Sequence, residues 1–121
     1  MTVVAGVLIG LVALIHVYIL VLEMFLWNTP RARAAFGTTA EFAKESAALA
    51  ANQGLYNGFL AFALIWGLIA SDPAGFQIKL YGLICVVAAG LYGAATANKR
   101  ILFVQVLPAA LALAVLLLSR T

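Results

Sequence analysis

The sequence predicts an all-α integral membrane protein, with four apolar helices in a single domain spanning residues 1–121. Three observations carry that reading. Of 121 residues, 66% are hydrophobic and 9% are charged; a soluble domain is about 45–50% apolar and about 25% charged. The mean hydropathy is +1.13. Apolar runs long enough to cross ~30 Å of hydrocarbon recur along the chain, separated by short polar breaks.

The first helix is expected over about residues 2–27. It lacks the basic start and small-residue cleavage site of a secretory signal, and its apolar run is too long for one, so it is expected to stay in the mature protein. Residues 28–38 read as a break, because Pro30 stops the helix and Arg31 and Arg33 suit a membrane surface. Thr38 followed by Glu41 reads as a capping box that starts helix two. With no breaker before Ser71, Asp72 and Pro73, that helix is expected over 39–70. At 1.5 Å per residue it measures about 48 Å, so its first two turns should protrude into water. Helix three, about 76–97, carries Gly82, Ala89, Gly93 and Ala97, small residues that allow close helix–helix approach in lipid. Asn98, Lys99 and Arg100 form the last loop. Helix four, about 101–119, contains Pro108, which should kink it and free a backbone carbonyl.

Basic residues set the expected orientation. Arg31, Arg33, Lys44, Lys99 and Arg100 lie on one side, Lys79 and Arg120 on the other. Cytoplasmic loops carry the excess of Lys and Arg. Both termini are therefore expected outside, in a multi-pass protein of the cell inner membrane. The formal charge of +3 is scattered, which fits orientation and excludes the dense basic face of a nucleic-acid binder. Cys85 is the sole cysteine, so no intramolecular disulfide can form.

The intramembrane polar groups are unevenly placed. His16 and Glu23 share a stripe with Trp27 on helix one, about 10 Å apart along the axis. Asn52, Gln53, Tyr56 and Asn57 fall in the first membrane turns of helix two. Tyr92 and Thr96 close helix three, and Gln105 lies just over one turn into helix four. All but His16 lie near the cytoplasmic side, while residues 3–14, 59–69 and 109–118 are almost purely apolar. The pattern describes a polar pocket open to the cytoplasm with a hydrophobic floor. An ionisable group in hydrocarbon costs about 2.5–3.5 kcal/mol on insertion scales and marks a site by default. The competing structural role for the amides is simple helix–helix hydrogen bonding, at about 0.6 kcal/mol each.

The chemistry available is limited. Two candidate ligands are too few for a metal site. No Ser or Cys sits beside a base, and there is no phosphate-cradling glycine loop. A buried Glu can serve as general acid or base, and a His in apolar surroundings can bind haem iron axially.

The run from His16 to Trp27, the segment from Asn52 to Gly58, and the stretch Gly90, Leu91, Tyr92, Gly93 and Ala94 resemble an uncharacterised family of small bacterial four-helix membrane proteins, the domain of unknown function numbered thirteen-oh-four. That resemblance covers nearly the whole chain and implies no activity. A second resemblance is to the membrane-associated eicosanoid and glutathione metabolism superfamily. The segment Gln53 to Asn57 is similar to its Asn…Glu-Asn segment, and Tyr92, Arg100 and Phe103 follow its order. It implies outside termini, a protruding second helix and a homotrimer with cytoplasm-facing sites between subunits. Tyr56 stands where that superfamily has an acidic residue and the arginine-rich turn before it is absent, so the resemblance bears on architecture more than on substrate.

The resulting expectation is a homo-oligomer, a trimer by that resemblance, with a pocket for a small amphipathic or lipophilic molecule. As an enzyme it would use Glu23 as acid or base, and His16 as its partner or as a haem ligand. Gln53, Asn57 and Tyr92 would orient the substrate, and Trp27, Asn52, Tyr56, Arg100 and Gln105 would line the pocket. The residues fit an enzyme and a binding protein equally. The alternatives are a proton-coupled small-molecule exporter and a structural subunit of a membrane complex.

Overall fold

The computed structural model describes residues 1–120, which are helical with no strand. Helix α1 runs Thr2–Met24, α2 Pro30–Phe36, α3 Ala40–Glu45, α4 Ala47–Ile69 and α5 Ala74–Thr96. A π-helical segment, Leu102–Val106, leads directly into α6, Leu107–Leu118. Three of these, α1, α4 and α5, are long and apolar enough to cross a membrane, and Leu102–Leu118 forms a shorter apolar arm.

The local sequence explains three departures from the expected helices. First, the segment after α1 is more than a break. The Thr29 hydroxyl accepts from the Ala32 N–H, Pro30 occupies the first turn, and Gly37 closes α2 at φ 67°. A Thr cap, an early Pro and a left-handed Gly are the start and stop signals of a helix. Secondly, Thr39 rather than Thr38 caps the next helix, accepting from the Phe42 N–H at 3.1 Å. Thirdly, the helix expected over 39–70 is two. At Ser46 the hydroxyl donates to the Phe42 carbonyl at 2.6 Å and accepts from Trp27 Nε1 at 3.1 Å. A serine bonded back to the preceding turn bends a helix, and here the bend divides α3 from α4.

Helix α1 packs against α4 and α6, and α5 packs against the same two. The core lies toward the Ser71 turn: Ile9 and Val12 of α1, Leu64 of α4, Leu83 and Val86 of α5, and Ala112 and Leu116 of α6. At that end an ion pair of 2.9 Å joins Arg120 to Asp72, and the Arg120 guanidinium lies 4.3 Å over the Phe76 ring. Large apolar side chains face outward, Val3 and Ile69 at 78% exposure and Phe62 at 67%. Such faces suit an apolar surrounding and would be a liability in water.

Gly54 sets the approach of α1 and α4. A Cβ there would lie 2.6 Å from Met24 Cγ and 3.3 Å from the Leu20 carbonyl oxygen. Met24 can swing away; backbone cannot. Gly54→Leu is expected to cost about 1–3 kcal/mol as overpacking, lowering the thermal midpoint in detergent. Gly10→Ala, where nothing lies within 4 Å, should not lower it. An unchanged midpoint for Gly54→Leu would mean that α1 and α4 are not held this closely.

Candidate functional site

The site begins where the core ends, at His16. Its ring is wholly buried and both nitrogens are engaged. Nδ1 lies 2.8 Å from the Val12 carbonyl, and a carbonyl only accepts, so Nδ1 carries the proton. Nε2 then accepts from the Gln105 side-chain amide at 3.1 Å.

Gln105 reaches His16 from the π-helical segment, and Pro108 accounts for that segment. Proline has no N–H to donate, and its ring collides with the carbonyl four residues back, that of Val104. Widening the preceding turn relieves the collision, and the Leu107 N–H bonds the Leu102 carbonyl, five residues back. The expected kink at Pro108 is thus a π turn. Gly90 makes room for it: a Cβ there would lie 2.7 Å from Val106 Cγ2 and 3.3 Å from Gln105 Cβ. Of the expected small-residue stripe, Gly82 meets Leu64 of α4, while Ala89 and Gly93 line a cavity.

That cavity, of about 1300 Å³, extends from Leu14 and Ile15 toward α2 and the Asn98 loop. Its apolar wall is built by residues 14, 15, 18, 19 and 22 of α1, a helical spacing that keeps one face inward. Glu23 lies at the polar end, where Asn57 Nδ2 donates to its Oε1 at 2.6 Å and also to the Gln53 carbonyl at 3.1 Å. One Asn57 amide proton therefore ties α4 to α1 through Glu23, and the other bonds back within α4 and holds the side chain in place. Across the mouth, Ala35, Phe36 and Gly37 of α2 and its C-terminal turn line the cavity. Arg100 Nη1 donates to the carbonyls of Ala34 at 3.3 Å and Ala35 at 3.5 Å. Those carbonyls end α2 and have no partner within it.

Six residues singled out in the sequence line this cavity: Glu23, Gln53, Asn57, Tyr92, Arg100 and Gln105. Four do not. His16 stands behind Gln105. It does not meet Glu23, and with both nitrogens bonded it has no free lone pair for haem iron in this arrangement. Trp27 packs on Phe36 with ring centroids 4.9 Å apart and bonds Ser46. Asn52 is exposed, and Tyr56 turns outward against Phe59, with centroids 5.6 Å apart. No group of three or more potential metal ligands occurs among the described residues.

Tyr18 and Arg31 were absent from the sequence-level site and belong to it. Arg31 Nη1 donates to the Tyr18 hydroxyl at 3.3 Å, and both line the cavity. The Tyr18 hydroxyl pushes the Arg31 guanidinium up from its ordinary value, so its charge is fixed. Tyr18 was legible from the α1 face that includes Leu14 and Leu22. Arg31 follows once Thr29, Pro30 and Gly37 are read as the ends of a helix.

The fold and the site define an all-helical protein whose three longest helices could each cross a membrane. Over residues 10–117 the chain matches the model of a family described as proteins of unknown function (DUF1304), and it belongs to that family. A relative is the uncharacterized protein YpaA of Lactococcus lactis subsp. lactis (strain IL1403). It is 36% identical over 107 residues, covering 87% of this chain and 89% of the relative. No solved structure matches the chain. The likeness to the eicosanoid and glutathione superfamily stays a resemblance of segment order.

Two outcomes follow from the hydrogen bonds. Gln105→Leu strands the buried His16 Nε2 and is expected to cost about 1–3 kcal/mol. His16→Leu combined with Gln105→Leu should cost less than the two singles summed, as expected for residues in contact. Strict additivity of the thermal midpoints in detergent would show that the pair does not interact. At the other link, Glu23→Gln keeps an acceptor for Asn57 and should leave the midpoint nearly unchanged. Glu23→Leu removes that acceptor and should cost about 1 kcal/mol; equal midpoints for the two variants would rule out a structural role for the bond.

Proposed function

We propose that the chain crosses the cell inner membrane four times with both termini outside, and that its cavity opens to the cytoplasm and binds a small amphipathic or lipophilic molecule. One observation carries this reading. A single cavity is lined by six of the polar residues singled out in the sequence and by an apolar wall of α1, with Glu23, Gln53 and Asn57 together at one end and Gln105 further in, on His16. Ligand sites are concave and mostly apolar, with a few placed polar groups, and commonly occupy about 300–1,000 Å³. At about 1300 Å³ this one suits a molecule with a substantial apolar body. Residues 102–118 span about 26 Å as a helix, close to the ~30 Å of the hydrocarbon. The five-to-two division of basic residues favours the Arg31 and Arg100 end as cytoplasmic. A homotrimer belongs to the same proposal, with the outward-facing Phe59, Phe62 and Trp66 of α4 as candidate contact surface.

If the protein is an enzyme, Glu23 is its acid or base, since it is the one carboxylate on the cavity and has a single side-chain partner. An exporter is less well supported. Transporters place their sites near the midplane between repeats, whereas here the polar groups gather at one end and the other half is packed apolar core.

Native mass spectrometry of the purified protein should find an amphiphile retained from the membrane, and Ala89→Trp, which fills the cavity, should lose it. Retention unaffected by Ala89→Trp would place any bound lipid on the outer surface and refute the pocket. A phosphatase reporter at the C-terminus should be active, as it is only outside the cytoplasm; an inactive reporter on a stable fusion would invert the orientation.

A further inference from the structure

The cavity holds two guanidinium groups that no carboxylate neutralises. Arg31 reaches it from α2 and Arg100 from the start of the last helical arm. Among the described residues the one ion pair joins Arg120 to Asp72, at the far end of the molecule. Glu23 shares the cavity but pairs with neither arginine; it accepts from Asn57 on the α1–α4 wall. The arginines instead make long bonds to neutral oxygens: Arg31 to the Tyr18 hydroxyl at 3.3 Å, and Arg100 to the Ala34 and Ala35 carbonyls at 3.3 and 3.5 Å. Charge-assisted bonds from guanidinium to an anionic oxygen are shorter, about 2.7–2.9 Å, and roughly twice as strong as neutral ones. Both arginines therefore have donors to give to a better acceptor.

The remaining groups on the cavity complete the picture. Tyr18, Tyr92, Gln53 and Gln105 are neutral. With Glu23 ionised, the formal balance is two positive charges against one negative. From Leu14 to Leu22 the α1 wall runs about 12 Å, ending on the apolar core.

Resting on the pocket reading above, we propose that the ligand is a single-chain anionic amphiphile. Its carboxylate or phosphate lies between Arg31 and Arg100 beneath α2, and its acyl chain runs along Ile15, Ile19 and Val104 toward His16. The anionic oxygens displace the long bonds to Tyr18 and to the α2 carbonyls, and Arg's planar fork suits them.

The test uses the full chain in phosphatidylcholine nanodiscs, with ligands read by native mass spectrometry. Four probes are compared: dodecanoate, dodecanol, dodecyltrimethylammonium, and acetate as the head without the tail. Dodecanoate is expected to be retained about tenfold more than dodecanol, which is about 1.4 kcal/mol. Replacing both arginines by Gln should bring dodecanoate down to the dodecanol level, and replacing both by Lys should preserve most of the preference. Arg31→Gln alone, at an exposed residue whose one side-chain partner is Tyr18, reads the same loss in part should the double variant fold poorly. Acetate should not compete.

Equal retention of dodecanoate and dodecanol, or a preference for dodecyltrimethylammonium, overturns the anionic headgroup and leaves the amphiphile pocket standing. Competition by acetate equal to that of dodecanoate overturns the acyl chain and leaves a small-anion site. If none of the three amphiphiles is retained, both this inference and the pocket reading fall.

Discussion

The hydrogen bond between His16 and Gln105 divides the molecule into a packed half and an open half. It joins a buried ring to a half-buried amide 89 positions away, and it uses the second nitrogen of the imidazole. Burying a polar group without a partner costs more than a made hydrogen bond returns, so this pair fixes the register of the last helical arm against α1. Beyond it toward the Ser71 turn, the interior is aliphatic and closed. Beyond it toward α2, the same helices diverge around a cavity. The boundary between scaffold and site is thus one side-chain contact, and the π turn before Pro108 is the backbone adjustment that permits it.

Small residues decide which helices stay together past that boundary. Gly54 and Gly58 let α1 and α4 touch at the cavity end, and Gly90 lets α5 meet the π turn. Ala89 and Gly93 border the cavity, where their small size leaves volume. Gly93 serves contact as well, since a Cβ there would lie 3.1 Å from Ile101 Cδ1.

The helical class was legible because hydropathy and run length reflect burial directly. The concentration of polar residues at one end was legible for a related reason: Glu23, Gln53, Asn57 and Gln105 are costly in an apolar run, so their positions stand out against it. What periodicity could not give was side-chain destination. His16 and Glu23 share a stripe seven residues apart, yet one turns into the interhelix seam and the other to the cavity. Tyr56 and Asn57 are adjacent, so a helix necessarily sends them in different directions, and only Asn57 faces α1. Ser46 hid the bend between α3 and α4, because a serine reads as neutral until its hydroxyl is seen on the Phe42 carbonyl. Helix α2 was hidden by Pro30, which ends a helix from one side and begins one from the other.

Arg100 joins the wall of the cavity to its cover. The final carbonyls of a helix point along its axis with no internal partner and carry the negative end of its dipole. Arg100 supplies positive charge to that end of α2, at Ala34 and Ala35, while Arg31 reaches from the other end of α2 to Tyr18. Helix α2 is only seven residues long, well below the ~12–15 at which an isolated helix becomes even marginal in water, so its position depends on these two contacts and on Phe36 against Trp27. A ligand group that takes the Nη1 donors of Arg100 would release the α2 carbonyls, and one that takes Nη1 of Arg31 would free Tyr18. The cover of the cavity is therefore held by the same two side chains that the proposed anion would recruit.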